Sequence, residues 1–122
     1  ASRQGVCVSI RKFFRANTTL DWLIDAGALT AEAAEYLAVM VKAKRNLIVA
    51  GGTGSGKTSL LNALSAAIPA DERVVVIEDT AELRLLQPHA AYLEARPADP
   101  KGHGAVTIRD LFVDSLRMRP DR

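Results

Sequence analysis

Cysteine and aromatic residues are scarce in this 122-residue chain. A single cysteine, Cys7, excludes both an internal disulfide framework and a zinc site built from cysteines. Aromatic residues make up 5% of the chain and do not alternate with basic ones, which argues against stacking on single-stranded nucleic acid. No apolar run approaches the roughly 20 residues of a membrane-spanning helix. The net charge is only +2, so no nucleic-acid partner is expected.

The rest of the composition is that of a soluble globular domain. Apolar residues make up 48% and charged residues 25% of the chain, which is too apolar for a disordered protein and fits a cytoplasmic one. Basic residues are concentrated in residues 1–15, where no acid occurs. This cluster is either a solvated edge or a surface that faces nucleotide phosphates or an acidic partner.

Residues 51–58 match the phosphate-binding pattern G-x-x-x-x-G-K-[ST]. Its glycines let the backbone turn so that successive N–H groups point at anionic oxygens. Lys57 is expected to reach the β- and γ-phosphates of ATP, and the Thr58 hydroxyl to ligate Mg²⁺. The residues expected to contact the nucleotide are Gly52, Thr53, Gly54, Ser55, Gly56, Lys57, Thr58 and Ser59.

The surroundings of this loop support the interpretation. Residues 46–50 are typical of a buried strand, and residues 59–64 have helical spacing of their leucines. Strand, phosphate loop and helix in this order predict an α/β fold with a parallel sheet and a nucleoside triphosphate site.

Other segments complete the predicted architecture. Helices are expected from a Thr18 or Thr19 cap to about Gly27, from the Thr30 cap to about Lys44, and after a Thr107 cap up to Pro120. Strands are expected at residues 6–11, 73–78 and 91–95, with the 73–78 run buried on both faces.

Residues 78–82, which include three acids, lie at the carboxyl end of the most strongly β-branched of these strands. Ligands bind at the carboxyl ends of parallel strands, so Glu78 and Glu82 are candidates for water activation or Mg²⁺ binding. The alternative is an acidic turn that only caps the next segment.

The end of the chain is rich in arginine: Arg109, Arg117, Arg119 and Arg122. Asp110, Asp114 and Asp121 could neutralise them in a surface network. The competing hypothesis is that some of them reach nucleotide phosphates across a subunit boundary. His89 and His103 are interpreted as surface residues.

Four stretches carry a resemblance to a known family: residues 8–13, 51–58, 77–82 and 116–122. In matching order they resemble the secretion ATPases of type II and type IV secretion systems and type IV pili, most nearly the tight-adherence pilus branch. The resemblance covers essentially the whole chain.

The resemblance implies roles for particular residues. Glu82 matches the glutamate thought to activate the attacking water, with Glu78 nearby. Arg11 matches an arginine that touches the γ-phosphate when two domains close. Arg117 and Arg119 match arginines near the nucleotide and the subunit boundary.

The resemblance also implies an organisation. Residues 1–15 are expected to be the last strand of an N-terminal domain plus a linker, and residues 16–122 the first half of a P-loop (RecA-like) ATPase domain. The Walker B strand of the family has no match here, so the chain is expected to be a fragment with weak nucleotide binding and poor hydrolysis. Family members are hexameric rings at the cytoplasmic face of the bacterial inner membrane, and their platform proteins are the expected partners.

Two other classes of function stay open. A small GTPase or nucleoside kinase would prefer another nucleotide or substrate, although no Asn-Lys-x-Asp guanine-reading motif occurs. A non-enzymatic scaffold would use the same fold only to contact secretion partners.

Overall fold

A computed structural model describes residues 5, 6, 8 and 18–122 of the chain. The helices and strands are α1 (Leu20–Asp25), α2 (Ala31–Lys42), α3 (Lys57–Ser65), β1 (Val74–Glu78), β2 (Ala90–Glu94) and α4 (Ile108–Ser115). A 3₁₀ turn, Leu116–Met118, follows α4. Apart from Val6 and Val8, the strand predicted at residues 6–11 lies outside the described residues, and the domain division after residue 15 stays a prediction.

Threonine side chains begin three of the helices where the sequence predicts. The hydroxyls of Thr19, Thr30 and Thr107 each accept a hydrogen bond from the backbone N–H three residues later. Asp110 completes a capping box by accepting the backbone N–H of Thr107 at 2.9 Å. These contacts satisfy N–H groups that have no partner inside the helix.

One prediction about the segment before the phosphate loop is wrong. Helix α2, expected to reach about Lys44, ends nearby at Lys42, and Lys44 adopts a left-handed backbone with φ of 55°. Residues 46–50 form no strand, and within the described part of the chain they pair with neither β1 nor β2. A strand is defined by hydrogen bonds to a neighbouring strand. No such neighbour covers these residues within the described part of the chain, and Ile48 is 95% exposed.

The strands β1 and β2 form a parallel pair, which confirms a mixed helix and strand fold with parallel pairing. The register places Val74 beside Ala90 and Glu78 beside Glu94. Val74 and Val76 are buried, as expected for a β-branched run. An antiparallel bridge between Arg96 and Val106 then closes the loop of residues 97–104.

The helices form two groups by their contacts. Helix α4 contacts both strands, and α1, α2 and α3 contact one another. The buried apolar residues are Leu23, Ala34, Val41, Ala63, Leu64, Val74 and Val76. The buried Gln87 joins α3 to the segment between the strands, because its amide donates to the carbonyl oxygens of Ser65 (2.7 Å) and Ile68 (3.1 Å). Among the described residues, no helix combines the length and apolar character that a membrane span needs.

Candidate functional site

The phosphate loop turns sharply into the first residue of α3. Gly54 (φ 75°) and Gly56 (φ 88°) both adopt left-handed backbone conformations that side chains disfavour. Gly56 is the N-terminal cap of α3, so the positive end of that helix faces the loop. The Ser55 hydroxyl donates to the carbonyl oxygen of Gly52 at 2.8 Å and closes the turn. The turn at the glycines and the helix that follows agree with the sequence pattern, and anion binding by this loop stays a prediction.

The ammonium group of Lys57 lies against the loop backbone. Its Nζ donates to the carbonyl oxygens of Gly51 (2.9 Å) and Gly52 (2.6 Å). A cleft of about 380 Å³ opens here, lined by Thr53, Gly54, Gly56, Lys57, Thr58, Ser59 and Glu82. The loop residues on one side of this cleft therefore share it with a carboxylate from the segment after β1.

Glu82 meets the phosphate loop directly. The Thr58 hydroxyl donates to Oε2 of Glu82 at 2.9 Å, across 24 residues of sequence. A second cleft of about 470 Å³, lined in part by Thr58, Glu78 and Glu82, adjoins the first because both clefts include Thr58 and Glu82. The tertiary structure thus brings two separate sequence motifs to one place.

Glu78 faces the backbone of the acidic run. Its Oε1 accepts the backbone N–H groups of Glu82 (3.1 Å) and Leu83 (3.0 Å). This contact fixes the conformation of the segment that carries Glu82. The predicted catalytic role of Glu78 stays a prediction.

The oxygen donors fit a magnesium ion that is completed by a ligand. Among the described residues, no group of three or more His, Cys, Asp or Glu side chains could enclose a metal on its own. Mg²⁺ is usually held by few protein oxygens plus phosphates. The hydroxyl of Thr58 and the carboxylate of Glu82 are oxygen donors of that kind and line the same cleft.

Among the described residues, the predicted arginines do not line this site. Arg11 lies outside the described residues. Neither Arg117 nor Arg119 lines the two clefts at the phosphate loop, and Arg119 has a left-handed backbone (φ 49°) at the end of the 3₁₀ turn. Their predicted role across a subunit boundary stays a prediction.

Arg122 belongs to an ionic cluster beside the beginning of β1. Its Nε donates to Oε2 of Glu72, and Lys44 lies 3.3 Å from Glu72 and 3.5 Å from Asp121. The hydrogen bond from Arg122, assisted by Lys44, lowers the pKa of Glu72. The backbone N–H of Arg73 lowers the pKa of Asp121 in the same way. Arg122 therefore pairs with an acid that sequence reasoning did not consider.

Sequence reasoning also missed three side chains that hold the acidic segment. Asn62 accepts the backbone N–H of Arg84 (2.9 Å), the Tyr92 hydroxyl accepts that of Leu85 (2.9 Å), and Glu94 accepts that of Ala81 (3.2 Å). The available signal was the spacing of Asn62, which lies one helical turn after Thr58.

Comparison with known proteins identifies the family of the chain. The family described as Type II/IV secretion system protein matches residues 2–122, and the chain belongs to that family. A putative conjugal transfer protein of Mycobacterium tuberculosis is 47% identical over 119 residues, which cover 98% of the chain and 34% of the relative. The type IV secretion system protein VirB11 of Bartonella henselae is 45% identical over 71% of the chain and 24% of its own length.

A solved structure agrees with these relatives. The VirB11 ATPase of the Brucella suis type IV secretion system, crystallised with sulphate, matches 98% of the chain at 33% identity with a TM-score of 0.62. The match covers 33% of that structure, so the chain spans about a third of the length of these relatives. The predicted family is confirmed, whereas its tight-adherence branch stays a prediction.

Proposed function

We propose that the chain is the ATP-binding part of a secretion or pilus-assembly motor ATPase with a P-loop, RecA-like core. The observation that supports this proposal is the hydrogen bond between Thr58 and Glu82, which lies at the end of the loop that matches the phosphate-binding pattern. Membership of the secretion family, and likeness to a protein described as the VirB11 ATPase, support the same function.

Each residue at the cleft has a chemical role in this proposal. The ammonium of Lys57 and the loop N–H groups neutralise the charge of the transferred phosphoryl group. Thr58, with Glu82 beside it, would hold Mg²⁺, which when bound supplies charge neutralisation at the phosphate oxygens. Glu82 orients the attacking water and accepts its proton.

The larger assembly is part of the same proposal. The intact protein forms a homo-hexamer on the cytoplasmic face of the bacterial inner membrane and contacts the secretion or pilus platform there. Arg11 closes on the γ-phosphate, and Arg117 and Arg119 act at the subunit boundary. Because the chain spans about a third of its relatives, by itself it is expected to bind nucleotide weakly and hydrolyse it poorly.

Glu82→Gln in the intact protein tests the proposal. The amide keeps an acceptor for Thr58 but cannot take a proton, so hydrolysis should fall by roughly 10²- to 10⁴-fold while ATP binding persists. Glu35→Gln is the matched control, because Glu35 is an exposed residue of α2. The Glu35→Gln variant should hydrolyse ATP like the parent. Parent-like hydrolysis by Glu82→Gln would contradict the role of Glu82, and a clear preference for GTP in titrations would contradict the ATPase assignment.

A further inference from the structure

The acidic loop, residues 79–85, is held by side chains. It contains neither helix nor strand, so its backbone N–H groups need acceptors from elsewhere. Each N–H from residue 81 to residue 85 donates to a side-chain oxygen. These oxygens come from Asn62 on α3, Glu78 on β1, and Tyr92 and Glu94 on β2.

Two contacts with α3 fix how the acidic loop is aligned on that helix. Thr58 donates to Glu82, and four residues further along α3 Asn62 accepts from the backbone of Arg84. Four helical residues rise about 6 Å, and two extended residues span about 6.6 Å. The two spacings match, so residues 82 and 84 of the acidic loop can bind positions 58 and 62 of the helix at once.

The second contact makes the position of Glu82 specific. Glu78 and Glu94 hold the loop to the strands, but with the Thr58 contact alone a single hydrogen bond would hold it to α3. Asn62 adds a second point on the same helix, and the hydroxyl of Tyr92 adds a third by accepting the N–H of Leu85. The helix that carries Lys57 and Thr58 at its beginning therefore also determines where the carboxylate lies.

We propose that Asn62 is a positioning residue that holds the acidic loop in register with α3, so that Glu82 faces the phosphate loop, and that Tyr92 secures the far end of the acidic loop. This inference rests on the proposed function, in which Glu82 orients the attacking water. Neither side chain needs to touch the nucleotide. Their loss should lower kcat by a much larger factor than the affinity for Mg·ATP, because Lys57, Thr58 and the loop N–H groups keep their positions.

The test uses Asn62→Leu, which has similar size and no acceptor, and Asn62→Asp, which restores the acceptor. In the intact protein, Asn62→Leu should lower kcat by about 10- to 100-fold, the range expected when a catalytic group is displaced by about 1 Å. Its KM for ATP and its calorimetric affinity should change by a much smaller factor than kcat. Asn62→Asp should recover most of the lost kcat.

Tyr92→Phe provides a milder variant that removes a single hydroxyl, and Tyr36→Phe on the exposed face of α2 is its matched control. Tyr92→Phe should lower kcat by a smaller factor, and Tyr36→Phe should not change it.

Hydrogen exchange on the 122-residue chain gives an independent measurement of how the acidic loop is aligned on α3. The backbone N–H of Arg84 should exchange faster in Asn62→Leu, and that of Leu85 in Tyr92→Phe.

The outcomes separate this inference from the proposed function. A parent protein that hydrolyses no ATP refutes the proposed function and the catalytic role of Asn62 with it. A parent that hydrolyses ATP, with an equally fast Asn62→Leu variant, overturns the positioning role alone. Unchanged exchange at Arg84, or a loss of ATP affinity as large as the loss of kcat, would also overturn it.

Discussion

Replacing Lys57 with methionine should weaken binding of Mg·ATP to the chain by roughly 5- to 100-fold, which corresponds to about 1–3 kcal/mol. Methionine keeps most of the length of the side chain and removes its charge. The ammonium is held inside the loop by the carbonyl oxygens of Gly51 and Gly52, so it is placed before any nucleotide arrives.

The magnitude follows from two opposing contributions. A unit charge about 4 Å from a phosphate charge contributes about 1 kcal/mol in water and about 4 kcal/mol at an effective dielectric constant near 20. Lys57 is half-buried beside exposed loop residues, so its contribution lies between these limits. Turning the ammonium toward a phosphate weakens its two bonds to carbonyl oxygens, each with a net contribution of about 1 kcal/mol.

Isothermal titration calorimetry of Mg·ATP into the parent and Lys57→Met measures this difference directly. The gap between the two should narrow at high salt, because screening weakens the contact of an exposed ammonium with phosphate. Lys101→Met is the control, since Lys101 is an exposed lysine in the loop after β2 and should not affect binding. If Lys57→Met binds as tightly as the parent at low salt, the ammonium is not a phosphate ligand and the electrostatic reasoning fails.

Three further predictions concern the metal, the packing of α3 and the ionic cluster. Thr58→Val should raise the Mg²⁺ concentration needed for ATP binding, whereas Thr58→Ser keeps the hydroxyl and should resemble the parent; equal Mg²⁺ titrations for both would contradict the assignment. Gln87→Leu should cost about 1–3 kcal/mol of unfolding free energy in urea, because two carbonyl oxygens beside α3 lose their donor. Arg122 and Lys44 lower the pKa of Glu72 in the folded chain. As the pH falls, Glu72 therefore becomes protonated in the unfolded chain before it does in the folded chain. The folded state should lose stability as the pH falls through and below about 4.3. Glu72→Gln should be less stable at neutral pH and lose less on acidification, and an identical acid response in thermal melts would count against this cluster.

Local sequence patterns predicted most of the elements. Threonine caps placed the beginnings of α1, α2 and α4, because a side-chain hydroxyl and a backbone N–H three residues away meet within one turn. The β-branched run predicted β1, and the weaker run at residues 91–95 corresponds to β2. The strand predicted at residues 46–50 failed for a different reason, since apolar composition does not supply the neighbouring strand that a ladder needs.

The amino-acid order alone predicted the loop of residues 51–58, because its glycines, lysine and threonine stand at a fixed spacing within one short stretch of chain. Only the tertiary structure decided what faces that loop. The contact between Thr58 and Glu82 spans 24 residues, and the one between Asn62 and Arg84 spans 22. Neither contact can be predicted from local spacing, because each joins a helix to an irregular loop that is distant in sequence. Both form together because one turn of the helix and two residues of the loop span similar lengths.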